Sequence, residues 1–116
     1  MHLQITFDLW LAAFLFTQAV ELPVYLLATR GRPLPQRLAL ALGASALTHP
    51  VVGWVIPRLP WETYRAYFLA AEGFAVAAEA LLLAAFRVPR PLLWALLANA
   101  ASVALGRLSR AYLSWP

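Results

Sequence analysis

The sequence predicts an all-α integral membrane protein, an up-down bundle of four helices, and three observations support this. Its 116 residues are 63% hydrophobic and only 12% charged, where an ordinary soluble domain carries about 25% charged residues. The apolar residues gather into four runs long enough for the ~20 helical residues that cross a hydrocarbon core about 30 Å thick. The breaks between runs are short and rich in Arg and Pro, and short connections force neighbouring helices to run antiparallel. The whole chain, 1–116, reads as one four-span domain built from two hairpins, 1–57 and 58–116.

The first span, Phe7 to Thr29, follows the segment MHLQITFD. That segment lacks the positive region of a signal peptide, so the first apolar run is expected to stay in the protein. The turn RGRPLP at 30–35 leads into the second span, Gln36 to Ile56. IPRLPWE at 56–62 leads into the third, Trp61 to Phe86, and RVPRP at 87–91 into the fourth, Pro91 to Leu113. A proline suits the first helical turn, where its missing N–H would have no helical partner.

All nine basic residues are Arg. They fall between the apolar runs instead of along one face, which marks interface anchors and argues against nucleic-acid binding. Arg30, Arg32, Arg37, Arg87 and Arg90 share one side; Arg58, Arg65, Arg107 and Arg110 share the side of the termini. The positive-inside rule then puts the termini outside; the Ala, Leu, Arg and Pro bias suits a GC-rich bacterial genome, and the expected location is the bacterial inner membrane. Trp10, Trp54, Trp61, Tyr64, Tyr67, Tyr112 and Trp115 crowd the terminal side as an aromatic belt. The chain has no Cys, which removes disulfides and thiolate ligands, and no cofactor is expected.

Ionisable residues inside a span cost about 2.5 to 3.5 kcal/mol each on insertion scales and usually face the bundle interior. Helix 1 offers Gln18 and Glu21, helix 2 Ser45, Thr48 and His49, helix 3 Glu72 and Glu79, and helix 4 Asn99 and Ser102. Gln18, Glu21 and Tyr25 share one helical face. Depth along the spans predicts two polar layers, Glu21/Glu79/Asn99 toward the RGRPLP side and His49/Glu72 toward the other. Ser45, Thr48 and Ser102 fall between them. Two carboxylates at one depth in low dielectric cannot both ionise cheaply, so a shared proton or a cation is expected between them.

Small residues at spacing four, Ala41, Ser45, His49 and Gly53 on helix 2 and Ala98, Ser102 and Gly106 on helix 4, let backbones approach. Pro23 and Pro50 stand beside polar residues and free a carbonyl one turn earlier, which serves either to coordinate an ion or only to bend the helix to its neighbour. Shifting the chain by 58 residues lays Glu21 on Glu79 and Arg32, Pro33 and Leu34 on Arg90, Pro91 and Leu92. With a four-residue deletion, Ser45 and Thr48 fall on Asn99 and Ser102, the pattern of two parallel hairpin repeats.

Three functions are open to such a chain. The leading expectation is binding or translocation of a proton or small cation, in an oligomer, with Glu21, Glu79, Asn99, Glu72 and His49 as the site. Gln18, Ser45, Thr48 and Ser102 would support it. The second is a non-catalytic assembly subunit of a larger membrane complex. The third is a metal-dependent intramembrane enzyme, for which His49 and Glu72 are the candidate ligands, although no H-E-x-x-H or paired E-x-x-H spacing is present. Partners are therefore the lipid bilayer and either further copies of the chain or a larger complex.

Overall fold

A computed structural model describes residues 6–114, so the sequence reading at Trp115 and most of the segment MHLQITFD lie outside the described residues. The fold is all-helical: α1 (Phe7–Ala28), α2 (Leu34–Pro50), α3 (Tyr64–Ala85) and α4 (Pro91–Leu113). α1 packs against α2 and α4, and α3 packs against the same two. Helices adjacent in sequence are thus adjacent in space, and α4 closes the ring onto α1 as an up-down four-helix bundle.

Local chemistry sets the ends of the helices. Thr6 caps α1 by accepting the Leu9 N–H at 3.2 Å, and Thr63 caps α3 by accepting the Ala66 N–H at 3.1 Å. Each satisfies a donor that has no helical partner. The Thr63 cap starts α3 at Tyr64, three residues after Trp61, the start expected from hydropathy. α1 remains α-helical through Pro23. Pro50 instead ends the α register: a π-helical turn at Val51–Val55 and a 3₁₀ turn at Ile56–Arg58 carry the second span onward. Proline's missing donor and the change of ladder occur together, as at many helix irregularities.

α3 ends in a Schellman motif. The Val88 N–H donates to the Leu83 carbonyl at 2.9 Å and the Arg87 N–H to the Ala84 carbonyl at 3.0 Å. Leu83 and Val88 pack into the same buried cluster, the apolar contact that accompanies this cap. Arg87 holds the left-handed position at φ 60°, where glycine is the usual residue.

α1, α3 and α4, and the second span Leu34–Arg58 taken with its π and 3₁₀ turns, are each long and apolar enough to cross a membrane. Sidedness agrees with that reading. Glu21 and Glu79 are each 1% exposed, whereas Leu69 is 61% and Leu81 71% exposed. Polar residues inside and leucines outside are stabilised by hydrocarbon around the bundle, whereas water would favour the reverse. The chain fits an integral membrane protein.

Packing is uneven along the bundle. Toward the α1–α2 and α3–α4 loops, Tyr25, Ala28, Leu40, Ala44, Leu83, Val88 and Ala98 form a continuous buried cluster. Arg37 donates to the Leu26 carbonyl at 2.6 Å, near the end of α1 where helical donors run out, and the Thr29 hydroxyl adds a bond at 2.7 Å to the Tyr25 carbonyl, which also accepts the Thr29 N–H. Toward the termini the helices separate around a cavity.

Candidate functional site

Two buried carboxylates lie at the centre of the bundle, and side chains from all four helices converge on them. On α1, Glu21 accepts from the Ser45 hydroxyl of α2 at 2.7 Å and from the Ser102 hydroxyl of α4 at 2.8 Å, one on each oxygen. On α3, Glu79 accepts from Tyr25 of α1 and, at 3.0 Å, from the Asn99 amide of α4 on one oxygen. Its other oxygen accepts from Thr48 of α2 at 2.8 Å. The second Asn99 N–H reaches the Ala95 carbonyl at 2.8 Å, which fixes the amide's orientation. No Arg forms an ion pair with either Glu among the described residues, so these bonds come entirely from neutral donors.

The pattern has an internal correspondence. Glu21 takes Ser45 from the helix that follows it and Ser102 from the other hairpin. Glu79 takes Asn99 from the helix that follows it and Thr48 from the other hairpin. Pairing Glu21 with Glu79, Ser45 with Asn99 and Thr48 with Ser102 exchanges one set for the other. The residues one turn earlier follow suit: Ala41 and Ala44 correspond to Ala95 and Ala98, and all four are 0% exposed. The correspondence breaks at Tyr25, whose counterpart is Leu83. Glu79 therefore holds one donor more than Glu21.

Of the polar residues expected from the sequence, the structure brings Glu21, Glu79, Asn99, Ser45, Thr48 and Ser102 into one network. The three hydroxyls are direct partners of the carboxylates instead of a layer between two sites. Tyr25 was legible only as a neighbour on the Glu21 face; an aromatic in an apolar helix carries no signal of where its hydroxyl ends. Gln18 is not part of the network. Its amide donates to the Leu42 carbonyl at 3.2 Å, and its Oε1 is buried without a partner.

The expected His49–Glu72 layer does not form, because the two side chains point to different surroundings. The His49 ring packs against Trp10 and Phe14, with centroids 5.5 and 5.1 Å away, while its backbone carbonyl accepts from the Trp10 indole at 3.3 Å. The reason is the small residue one turn on: a Cβ at Gly53 would lie within 2.5 Å of both Cδ1 and Nε1 of Trp10, too close for both to fit. Gly53 thus admits an indole where the small-residue stripe predicted a backbone. Glu72 makes no hydrogen bond among the described residues and lines two cavities. One takes walls from all four spans; the other is a lateral groove between α3 and α4 that Asn99 and Arg107 also line. Among the described residues no three His, Asp or Glu side chains gather as metal ligands.

No family model, curated protein or solved structure matches the chain, so the functional reading rests on this geometry.

Proposed function

We propose that the protein binds and exchanges a proton, or a small cation in its place, at the Glu21–Glu79 pair within a bacterial inner membrane. The observation that carries this reading is the pair of hydroxyls with a second acceptor in reach. Thr48 Oγ1 bonds Glu79 at 2.8 Å and also lies 3.3 Å from the Ser45 carbonyl. Ser102 Oγ bonds Glu21 at 2.8 Å and lies 3.0 Å from the Asn99 carbonyl.

A hydroxyl has one proton and two acceptor lone pairs. Facing an ionised carboxylate, each hydroxyl donates to it. When the carboxyl takes up a proton, the hydroxyl turns its own proton to the carbonyl and accepts the new one. No buried polar group is orphaned in either state, and an orphan costs about 1 to 3 kcal/mol. A purely structural pair needs only one of the two states. The corresponding partner sets of the carboxylates support reading the hairpins as parallel repeats, with one such rotor in each. The loop end of the bundle is filled by side chains, which leaves little room for a continuous pore and favours an oligomer for transport.

The test is proton uptake by proteoliposomes. Glu79→Gln keeps the shape and removes the titrating group; flux should fall to background while the protein stays folded. Flux equal to the parent protein would overturn the reading.

A second reading, a non-catalytic assembly subunit, is favoured by the lateral groove, whose lining includes the charged residues Glu72 and Arg107. Polar groups facing lipid are costly and are satisfied by a partner helix. Purification from native membranes separates the two: a stoichiometric larger partner supports the subunit, self-association alone the proton site.

A further inference from the structure

We propose that the cavity between the terminal halves of the helices is an aqueous vestibule that delivers protons to Glu21 from the terminal face only, with Glu72 as the intermediate acceptor. This rests on the proton-exchange reading of the carboxylate pair.

The cavity has a volume of about 380 Å³ and takes wall residues from every span, among them Thr17 of α1, Val52 of the π-helical turn, Tyr67 and Glu72 of α3, and Ser102 and Arg110 of α4. That volume holds on the order of a dozen waters at about 30 Å³ each. Its walls supply polar partners for them, which an apolar cavity would not. The inner end is chemically defined: Ser102 lines the cavity and donates to Glu21 at 2.8 Å. The vestibule therefore ends one hydroxyl away from the buried pair.

Glu72 stands on the same wall, seven residues and about 10 Å along α3 before Glu79. Unlike Glu21 and Glu79 it has no hydrogen-bond donor among the described residues, and its carboxylate is open to the cavity. The charged groups around it are the Glu21 carboxylate of α1, Arg110 of α4 across the vestibule and Arg107 of α4 in the lateral groove; Tyr67 adds a phenol on its own helix. An unbonded carboxylate among waters can take a proton and hand it inward along a water or hydroxyl chain.

Access is one-sided because the opposite end is filled. Tyr25, Leu40, Leu83, Val88 and Ala98 are all below 5% exposed and pack into one cluster between the carboxylates and the loops. A proton entering from that side would have to cross apolar side chains. In this conformation Glu21 communicates with the terminal face.

The chain contains no cysteine, so single-cysteine variants report access directly. Glu62→Cys marks the terminal face and Arg30→Cys the loop face. In membrane vesicles of defined orientation, a membrane-impermeant thiosulfonate should modify Thr17→Cys from the Glu62 side, at a rate within tenfold of Glu62→Cys. From the Arg30 side it should not react. Ala13→Cys, on the same wall, serves if Thr17→Cys does not fold. Modification from the Arg30 side, or from neither, overturns the vestibule.

The relay is tested in proteoliposomes, where Glu72→Gln should slow proton uptake at least tenfold while thiol reactivity at position 17 is unchanged. Full flux in Glu72→Gln with none in Glu79→Gln removes the relay and leaves the proton site standing. Full flux in Glu79→Gln removes both.

Discussion

The bond between Tyr25 and Glu79 offers the most direct measure of what the carboxylate network contributes. Tyr25 is 0% exposed and its hydroxyl meets Glu79 Oε1, which otherwise accepts only from Asn99 at 3.0 Å. Tyr25→Phe removes that hydroxyl and nothing else, and no bulk water can replace it. Interhelical hydrogen bonds between neutral groups in membrane proteins average about 0.6 kcal/mol, because the unfolded chain in the bilayer also finds partners. A bond to an ionised acceptor is worth about 1.5 to 3 kcal/mol.

The typical values differ by about 1 kcal/mol or more, so a rise in the coupling energy with pH reports the charge on Glu79. The assay is a double-mutant cycle of Tyr25→Phe with Glu79→Leu, which leaves the hydroxyl no acceptor at position 79, read by reversible unfolding in detergent micelles across pH. At low pH, with Glu79 protonated, the coupling should be about 0.6 kcal/mol; at high pH, with it ionised, it should exceed about 1.5 kcal/mol. A coupling that stays below about 0.5 kcal/mol at every pH refutes the reasoning, since Tyr25 and Glu79 would then not be energetically joined.

Three further outcomes test the local physics. Arg87→Gly should stabilise the protein by about 0.5 to 1 kcal/mol in the same unfolding assay, because glycine holds the left-handed Schellman position without a Cβ penalty. Gly53→Ala should destabilise it by about 1 to 3 kcal/mol and shift the Trp10 fluorescence, since the new methyl displaces the indole from its place over the π-helical turn. Gly106→Ala should be neutral or gain up to about 1 kcal/mol: its Cβ would lie 3.8 Å from the Phe16 ring, an ordinary contact, and alanine favours the helix.

How far each feature was legible follows from the range of the interaction that decides it. The four spans could be read because crossing a bilayer is a property of a single segment, set by its length and apolarity. Two helix starts moved: the Thr63 cap delayed α3 to Tyr64, and α2 begins at Leu34, two residues before Gln36, with a proline in its first turn. The correspondence of Glu21 with Glu79, and of Ser45 and Thr48 with Asn99 and Ser102, was also visible, since it is a matter of spacing along the chain. Depth arithmetic placed Glu21, Glu79 and Asn99 at one level for the same reason.

What the chain alone could not decide was rotation, the direction in which each helix turns a given face. His49 and Glu72 share a depth, yet Gly53 opens a place for Trp10, which occupies the His49 side of α2, while Glu72 is turned to the cavities. Tyr25 reaches Glu79 two helices away in sequence, and nothing in its neighbours indicates this. The sequence by itself determined four membrane-length helices, their antiparallel order and the residues with charge to bury, because these depend on local composition and spacing. Only the tertiary structure decided which hydroxyl meets which carboxylate, and that the bundle is filled at one end and open at the other. Those depend on helix rotation and side-chain packing, in which every helix constrains the other three.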